Sequence, residues 1–372
     1  MRFLHIADLH LGFALNGASF LEEQAQALDE IRAIIARERI GAVLIAGDVF
    51  DRAVTGPDVL ALYDRFLTAL RREDGVEVFL IAGNHDGGAR LAQLSALLSD
   101  TGIYISGTLL ERPQPIACGD AEVWLVPYFH TEQARLLYPE EEIASASGAM
   151  AALVRDILSR RDPQKKSVLV AHCFVNGAQL SESDVGVRLG GASLIGADVF
   201  DGLDYVALGH LHGMQHPADR VWYAGSIYPY SFSEGAKHAV IYDSATDEIR
   251  PVDLHPARAL RTLSGTLDEV LALAEHDGAR DDYMRILLTD VPVGLETLER
   301  FRALYPRLLL LLGVTESVGA GSTLTGEELR SIAPEDLLTR FCMETAGYQP
   351  DSEEIACFLD ALLAADGGED RQ

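Results

Sequence analysis

Five short apolar runs in this sequence are each followed at once by residues that can bind a metal ion. Continuous apolar runs are typical of strands buried on both faces of a parallel sheet, and α/β folds bind ligands beyond the carboxyl ends of such strands. We therefore expect the side chains that follow the runs to meet at one edge of a sheet. In chain order they are Asp8 and His10, Asp48, Asn84 with His85 and Asp86, His172, and His210 with His212.

Strands and helices alternate in the N-terminal part of the sequence. Helical patterns over 21–39, 57–72 and 90–99 separate the first three of these strands, which is the order of βαβ units with parallel strands. From about residue 103 onward the predicted strands are shorter and closer together, which favours a second and more antiparallel sheet. The predicted fold class is therefore α/β, a four-layer α/β/β/α sandwich with two sheets packed face to face.

The metal-binding residue types end near residue 255, and the rest of the sequence predicts two further parts. Strands over 260–263, 283–288 and 308–312 alternate with helices over 267–275 and 295–305, as in a small α+β capping domain. The predicted domains are 1–255 for the metal-binding domain, 256–318 for the capping domain, and 319–372 for a linker with C-terminal helices.

The C-terminal helices are predicted to be amphipathic. Asp351 and Glu354 have the spacing of a capping box. An amphipathic pair at a chain end either folds back on its own domain or docks on another chain. The residues of the apolar faces are Leu337, Phe341, Ile355, Phe358 and Leu362.

Charge and cysteine content restrict the class of protein. The net charge is −27, whereas a protein that binds DNA by itself normally has a basic patch, so a partner is expected to supply most phosphate contacts. No apolar stretch is long enough to span a bilayer. Reduced thiols and a cytoplasmic location are expected, because no paired spacing is found among the four cysteines, Cys118, Cys173, Cys342 and Cys357.

The residue types at the five strand ends fit two divalent ions. Asp48 ends the middle strand and is short enough to bridge two ions. One ion would be coordinated by Asp8, His10 and one histidine of the last motif. The second would be coordinated by Asn84, His172 and the other histidine. Mixed oxygen and imidazole donors suit manganese, iron or zinc better than calcium. Two ions about 3.5–4 Å apart activate water and stabilise both oxygens of an in-line phosphoryl displacement.

His85 has a different predicted role because it follows the proposed ligand Asn84 directly. Its ring is expected to point outward, as the acid that protonates the leaving group or as a phosphate contact. Asp51, Asp86 and Arg52 are candidates for orienting this ring or for binding phosphate.

Taken together, the motifs D-x-H, G-D-x-x-D, G-N-H-D, a lone H and G-H-x-H resemble those of the calcineurin-like metallophosphoesterases. Within that superfamily the sequence is most similar to the nuclease subunits of bacterial SbcCD-type double-strand-break repair complexes, strongly to about residue 240. The residues that carry this narrower resemblance are Leu4-His5, Leu11-Gly12, Gly47 to Asp51, Tyr205 to His212, and Tyr223 to Ser226 with Phe232, Glu234 and Lys237.

The resemblance implies a manganese-dependent nuclease of DNA repair. It would act as a 3′–5′ exonuclease on double-stranded DNA and as an endonuclease on single strands and hairpins. It would form a homodimer within a heterotetramer, with an SbcC-like ABC ATPase bound to the C-terminal helices. By matching motif, one ion would be held by Asp8, His10, Asp48 and His212, and the other by Asp48, Asn84, His172 and His210.

Two alternatives remain at the level of the sequence. A small-molecule or cyclic-nucleotide metallophosphodiesterase shares all five motifs, but it has little use for the additional C-terminal segment. A scaffold that has lost catalysis is the second alternative, and the presence of all seven predicted ligands argues against it.

Overall fold

The computed structural model describes residues 1–179, 194–314, 335–336, 338–339, 342–343, 349–351, 354–355 and 358–359. This chain divides into two compact units, Met1–Thr289 with Gly294–Leu312, and Asp290–Val293 with Gly313–Gln372. No helix among the described residues is long and apolar enough to cross a membrane. Of the four cysteines, Cys118 and Cys173 are free thiols, Cys342 is buried, and Cys357 lies outside the described residues.

Strands and helices alternate through much of the first unit. In chain order the strands are β1 Arg2–Ile6, β2 Ala14–Leu15, β3 Ala18–Ser19, β4 Ala42–Ala46, β5 Glu77–Ile81, β6 Ile103–Ser106, β7 Ile116–Cys118, β8 Ala121–Val126, β9 Lys166–His172, β10 Tyr205–Gly209, β11 Gln215–Ala218, β12 Val221–Tyr223, β13 Lys237–Asp243, β14 Glu248–Leu254, β15 Leu260–Gly265, β16 Tyr283–Leu288 and β17 Leu308–Leu312. The α-helices are α1 Leu21–Glu38, α2 Pro57–Arg72, α3 Gly88–Leu91, α4 Ser95–Ser99, α5 Thr131–Leu137, α6 Ala146–Arg160, α7 Leu267–His276 and α8 Leu295–Leu304, and a 3-10 helix covers Ala197–Phe200.

Two six-stranded sheets form the larger part of the first unit, in the orders β14-β13-β1-β4-β5-β6 and β11-β12-β10-β9-β8-β7. In each sheet four neighbouring strands are parallel and the remaining strands pair antiparallel. The prediction of a more antiparallel second sheet was therefore wrong. Strands β6 and β13 join the first sheet instead, because β6 pairs with β5 and β13 pairs with β1 across more than two hundred residues of sequence.

Three apolar layers separate the sheets and helices and confirm the predicted α/β/β/α order. Between the sheets, Phe3 and Leu44 of the first sheet share a cluster with Val123 and Val170 of the second. On its outer face the first sheet packs against α1 and α2. The outer face of the second sheet packs against α6. Central strands are thus buried on both faces, which is why their sequences read as continuous apolar runs.

Local sequence explains where the N-terminal helices begin and end. Helix α2 begins with Pro57 in its first turn, where a missing N–H costs nothing, and buries Leu62, Phe66 and Leu70 along one face. The single helix predicted over 90–99 is two short helices, α3 and α4. They are separated because Leu94 has a left-handed backbone with φ of 63°, which a continuous α-helix cannot contain.

The predicted α+β region contains a three-stranded parallel sheet, β15-β16-β17, connected through α7 and α8. Helix α7 begins with a capping box between Thr266 and Glu269. The three-stranded sheet contacts the start of helix α1. The ring centroid of Tyr283 on β16 lies 4.6 Å from that of Phe20, which precedes α1, and the Tyr283 hydroxyl donates to Glu23 Oε1 at 2.8 Å.

The second unit is described in short pieces. Residues 335–336, 338–339, 342–343, 354–355 and 358–359 are helical. The predicted capping box is confirmed, because the Asp351 N–H donates to Glu354 Oε2 at 3.0 Å and the Glu354 N–H donates to Asp351 Oδ1 at 2.9 Å. The linker at 319–323 and the apolar positions Leu337, Phe341 and Leu362 lie outside the described residues.

Candidate metal centre

The five strand ends of the two sheets meet at one edge of the sandwich. The loop after β1 runs beside the loop after β4, with the Asp8 N–H donating to Gly47 O at 3.1 Å and the His10 N–H donating to Asp48 O at 2.9 Å. The second sheet reaches the same place through His172, whose Nδ1 lies 2.9 Å from Ala46 O of the first sheet. The edge therefore collects polar side chains from both sheets.

Three glycines allow this close approach of backbone and side chains. A Cβ added to Gly83 would lie 2.1 Å from Asp48 Oδ1, and one added to Gly209 would lie 1.9 Å from Ala46 O. A Cβ on Gly47 would lie 2.4 Å from His172 Nδ1, at a φ of +88° that L-residues rarely adopt. The glycines of the motifs are thus required by packing around the proposed ligands.

The backbone at this edge is strained. Asp8, His10, Asp48 and His210 all have positive φ, at 51°, 41°, 47° and 111°. Such conformations are unfavourable for non-glycine residues, and they persist where the surrounding structure fixes them, typically at functional sites. Four of the seven predicted ligands share this property.

Asp8, His10, Asp48 and His212 form the first group. Asp8 Oδ1 accepts the His210 N–H at 2.9 Å, while Asp8 Oδ2 is buried without a hydrogen-bond partner. His10 Nε2 lies 3.8 Å from Asp48 Oδ2 and 3.1 Å from His212 Nε2. A buried carboxylate oxygen without a donor is costly, so this oxygen fits a cation ligand.

The tautomer of His212 strengthens the same conclusion. Its Nδ1 lies 3.3 Å from Glu234 Oε1, and a carboxylate only accepts, so Nδ1 carries the hydrogen and Nε2 presents a lone pair toward His10. His10 Nδ1 is buried without a hydrogen-bond partner, 3.8 Å from Asp51 Oδ1. The two Nε2 atoms are directed at each other, so a cation bound between them would take the place of the hydrogen bond that joins the two rings.

Asp48, Asn84, His172 and His210 form the second group. Asn84 Oδ1 lies 3.0 Å from both His172 Nε2 and His210 Nδ1, and Asp48 Oδ2 lies 3.3 Å from His172 Nε2. Because His172 Nδ1 donates to Ala46 O, its Nε2 bears a proton only when the ring is charged. Asp48 belongs to both groups and is therefore placed to bridge two ions.

Burial and neighbouring charges shift the pKa values of the groups at this edge when no ion is bound. Burial raises the pKa of Asp8 to about 7. Burial also opposes the charged ring of His172, but the Asp48 carboxylate beside it raises the pKa of that imidazole to about 9. The same pairing holds the pKa of Asp48 well below its usual range although burial opposes this. Burial lowers the pKa of His10 and of His210 to about 3.

His85 lies outside both groups, at the exposed rim. Its N–H donates to Asp48 Oδ1 at 2.8 Å, and its Nδ1 lies 3.0 Å from Asp51 O. A carbonyl only accepts, so Nδ1 carries a hydrogen, and the residue is exposed. Its ring centroid lies 4.8 Å from that of His10, next to the first group.

The three candidate orienting residues differ in their contacts. Asp51 holds the His85 ring through its backbone carbonyl, not its carboxylate. Asp86 does not contact that ring in the structure; its carboxylate accepts N–H groups from Val49, Phe50 and Gly83, and burial raises its pKa to about 6. Arg52 is exposed, with Nε 3.4 Å from Asp51 Oδ2.

The sequence model of the calcineurin-like phosphoesterase family matches residues 1–214, which hold all seven predicted ligands. The chain belongs to the calcineurin-like phosphoesterases. A second model, named for SbcD and described as the type 5 capsule protein repressor C-terminal domain, matches residues 256–346. The two matches together make this chain an SbcD-type member of the family. Calcineurin-like phosphoesterases use divalent metal ions, in agreement with the two groups of candidate ligands.

Three solved structures match this phosphoesterase at low identity and low TM-score. An archaeal phosphodiesterase has 12% identity and a TM-score of 0.34, covering 68% of this chain and 100% of its own. TT1561 of Thermus thermophilus has 12% identity and a TM-score of 0.41, covering 68% and 99%. GAP50, the anchor in the inner membrane complex of Plasmodium, has 13% identity and a TM-score of 0.39, covering 86% and 99%.

Sequence reasoning missed the residues that hold the His10 loop of this phosphoesterase. Gln24 on α1 is buried and donates from Nε2 to His10 O at 2.7 Å and to Leu9 O at 3.2 Å, while Gly12 N–H donates to its Oε1 at 2.9 Å. The Tyr230 hydroxyl also donates to Leu9 O. A glutamine on the apolar face of a predicted helix was the available signal for this role.

Proposed function

We propose that this phosphoesterase is a dimetal-dependent DNA nuclease that acts in DNA repair. Its reactions would be 3′–5′ exonuclease cleavage of double-stranded DNA and endonuclease cleavage of single strands and hairpins. The observation that carries the proposal is the combination of two ligand groups sharing Asp48 with an SbcD-type C-terminal domain over residues 256–346.

Mn²⁺ is the proposed metal, as the resemblance to SbcCD-type nucleases implies. Each group mixes carboxylate or amide oxygen with imidazole nitrogen, a set that suits Mn²⁺ better than Ca²⁺. Asp8, His10 and His212 would hold one ion, Asn84, His172 and His210 the other, and Asp48 both. Two divalent ions bound here supply Lewis acidity and a water molecule of lowered pKa.

Within this scheme His85 protonates the leaving oxygen. Its Nδ1–H donates to Asp51 O, so the ring must also be protonated at Nε2 before it can act as the acid. The backbone N–H of His85 donates to Asp48 Oδ1, which fixes the ring at the mouth of the metal centre. In this proposal His85 acts beside the metal ligands and not as one of them.

Two arginines support recognition of a phosphodiester backbone at this rim. Arg52 is exposed beside Asp51, and Arg90 is exposed with NH1 3.3 Å from Ala53 O, one residue along the same loop. Guanidinium groups bind phosphate in a bidentate manner. Another arginine proposed for phosphate contact, Arg188, lies outside the described residues. With a net charge of −27, the isolated chain is expected to bind DNA weakly and with a shallow salt dependence.

An SbcC-like ABC ATPase is the proposed partner, bound by the C-terminal helices. Ile355, Phe358 and Leu359 are half-buried at helical spacing in the second unit. Deletion from residue 319 onward should leave metal binding and hydrolysis of a chromogenic phosphodiester unchanged while weakening ATPase binding. The paired change Ile355→Asp and Phe358→Asp should reproduce the binding defect, with Glu335→Lys on an exposed helical position as the control. Unchanged complex formation by the deletion variant would exclude this docking site.

A homodimer is the proposed assembly of the nuclease subunit. Exposed apolar side chains lie on α2 and around α4, with Leu60, Leu94 and Leu97 exposed by 45%, 64% and 65%. Leu60 and Leu94 line one cavity, and exposed apolar side chains that lie together are typical of protein interfaces. Light scattering on the wild type and on Leu60→Asp tests this, with a dimer predicted for the former and a monomer for the latter.

A small-molecule or cyclic-nucleotide phosphodiesterase is the second candidate, favoured by the strongly acidic surface. Labelled duplex, single-stranded and hairpin DNA, cyclic nucleotides and a chromogenic diester should be compared with Mn²⁺ present. The proposal predicts cleavage of all three DNA forms and little turnover of cyclic nucleotides. His238→Ala is a matched control, since His238 pairs with Asp253 at 3.0 Å on β13 and β14. Turnover of cyclic nucleotides without DNA cleavage would favour the second candidate.

A further inference from the structure

A buried carboxylate outside the predicted ligand set contacts the ring of His212. Glu234 Oε1 lies 3.3 Å from His212 Nδ1, the nitrogen that points away from His10. The Glu234 side chain is 2% exposed and that of His212 is 12% exposed. None of the five motifs contains Glu234, and its contact with His212 depends on the fold of the chain after β12.

The same carboxylate is part of a buried ion pair that holds His212 at a second atom. Glu234 Oε2 pairs with Lys237 Nζ, and the Lys237 side chain is 3% exposed. Lys237 Nζ also donates to His212 O at 2.9 Å and to Ser226 Oγ at 2.8 Å. The ring and the main chain of His212 are therefore fixed by one charge-paired cluster.

We propose that Glu234 is a positioning residue for the metal ligand His212, an inference that rests on the proposed two-metal centre. By accepting the hydrogen of Nδ1, Glu234 fixes the tautomer of the ring so that the lone pair of Nε2 points into the first ligand group. The negative charge also makes Nε2 a stronger donor toward a cation. Lys237 keeps the buried carboxylate ionised by pairing with it.

The other ligating histidines are oriented differently, which makes the role of Glu234 specific. His172 Nδ1 donates to a backbone carbonyl, Ala46 O, at 2.9 Å. His10 Nδ1 has the Asp51 carboxylate only at 3.8 Å. Changing Glu234 should therefore lower the affinity for one of the two ions and leave the affinity for the ion at His172 unchanged.

Isothermal titration of the metal-free full chain with Mn²⁺ tests this without any substrate. The double variant Glu234→Leu with Lys237→Met removes the ion pair as a unit, so that no buried charge is left unpaired. Glu234→Gln keeps the size and a hydrogen-bond acceptor but removes the charge. Asp253→Asn is the matched control, because Asp253 contacts the ring of His238 at 3.0 Å on an exposed part of the sheet.

We expect two Mn²⁺ sites in the wild type and in Asp253→Asn. In the double variant one site should weaken by about 10- to 100-fold, and in Glu234→Gln one site should weaken by at least about threefold. At limiting Mn²⁺, the electron paramagnetic resonance spectrum of the double variant should show single Mn²⁺ ions, where the wild type shows a spin-coupled pair.

Two outcomes would overturn the inference. The first is a double variant that folds, with a metal-free melting temperature near the wild type, and binds both ions with unchanged affinity. If the double variant does not fold, unchanged affinity of Glu234→Gln at both sites is the deciding result. A wild type that binds no Mn²⁺ would contradict the proposed metal centre itself, which is a separate outcome.

Discussion

The Nε2 atoms of His10 and His212 lie 3.1 Å apart, although the two residues follow strands of different sheets. His212 donates its Nδ1–H to Glu234, so its Nε2 has no hydrogen to give to His10 unless the ring is charged. This arrangement supports the proposal that His10 and His212 bind one cation. In the second group, His172 Nε2 and Asn84 Oδ1 face each other at 3.0 Å.

Replacing the shared ligand should remove both ions. In Asp48→Ala we expect less than one Mn²⁺ per chain and a fall of more than about 10³-fold in diester hydrolysis, because charge stabilisation at the reacting phosphate is lost. The fold should persist, since Asp48 contributes no apolar packing. Metal analysis, circular dichroism and activity measure the three effects. Retention of two tightly bound ions would show that Asp48 does not bridge.

Replacing His85 should separate chemistry from metal binding. His85→Ala should retain two Mn²⁺ and lose about 10²- to 10⁴-fold in kcat on DNA, the usual contribution of a general acid. The loss should be smaller on a nitrophenyl diester, whose leaving group needs no proton. A fall in metal content equal to that of Asp48→Ala would mean that His85 is a ligand instead.

Mn²⁺ affinity should increase with pH. In the metal-free protein His172 has a pKa raised to about 9 by Asp48 despite burial, and burial raises the pKa of Asp8 to about 7. Both groups must lose their protons to bind metal, so ions compete with protons at neutral pH. The affinity should rise from pH 6 towards pH 9. At pH 7, metal binding should release protons, and their number can be measured by calorimetry in buffers with different heats of ionisation. Affinity independent of pH would show that His172 is neutral without metal.

Acid should destabilise the fold through a histidine between the sheets. His5 Nδ1 lies 2.9 Å from the Tyr205 hydroxyl and its Nε2 donates to Leu208 O at 3.1 Å, and burial lowers its pKa to about 3. The folded state therefore does not take up a proton that the unfolded state binds below about pH 6.5. Stability should fall with pH between 6.5 and 3, with His5 contributing at most about 1.4 kcal/mol per pH unit. When the unfolding free energy is measured with urea at several pH values, it should depend less steeply on pH in His5→Gln than in the wild type. An unchanged pH dependence would contradict this role.

The convergence of the proposed ligands could be predicted because each one follows a strand, and parallel strands end at a common edge. The sheet to which each strand belongs could not be predicted, because β13 pairs with β1 and that pairing depends on contacts distant in sequence. The break between α3 and α4 was missed because Leu94 adopts a left-handed backbone without a glycine to signal it. The contact of Glu234 with His212 was missed because a buried ion pair at i, i+3 looks like a surface pair in sequence.

Titration of the metal-free wild type with Mn²⁺, while nucleotide release from labelled blunt duplex DNA is measured, tests the central claim most directly. The two-metal account predicts little cleavage at one equivalent per chain, full activity near two equivalents, and none at any Mn²⁺ level in Asp48→Ala. A wild type that binds two Mn²⁺ and hydrolyses a small chromogenic diester, yet cleaves no duplex, single-stranded or hairpin DNA, would contradict the proposal that this phosphoesterase is a DNA nuclease.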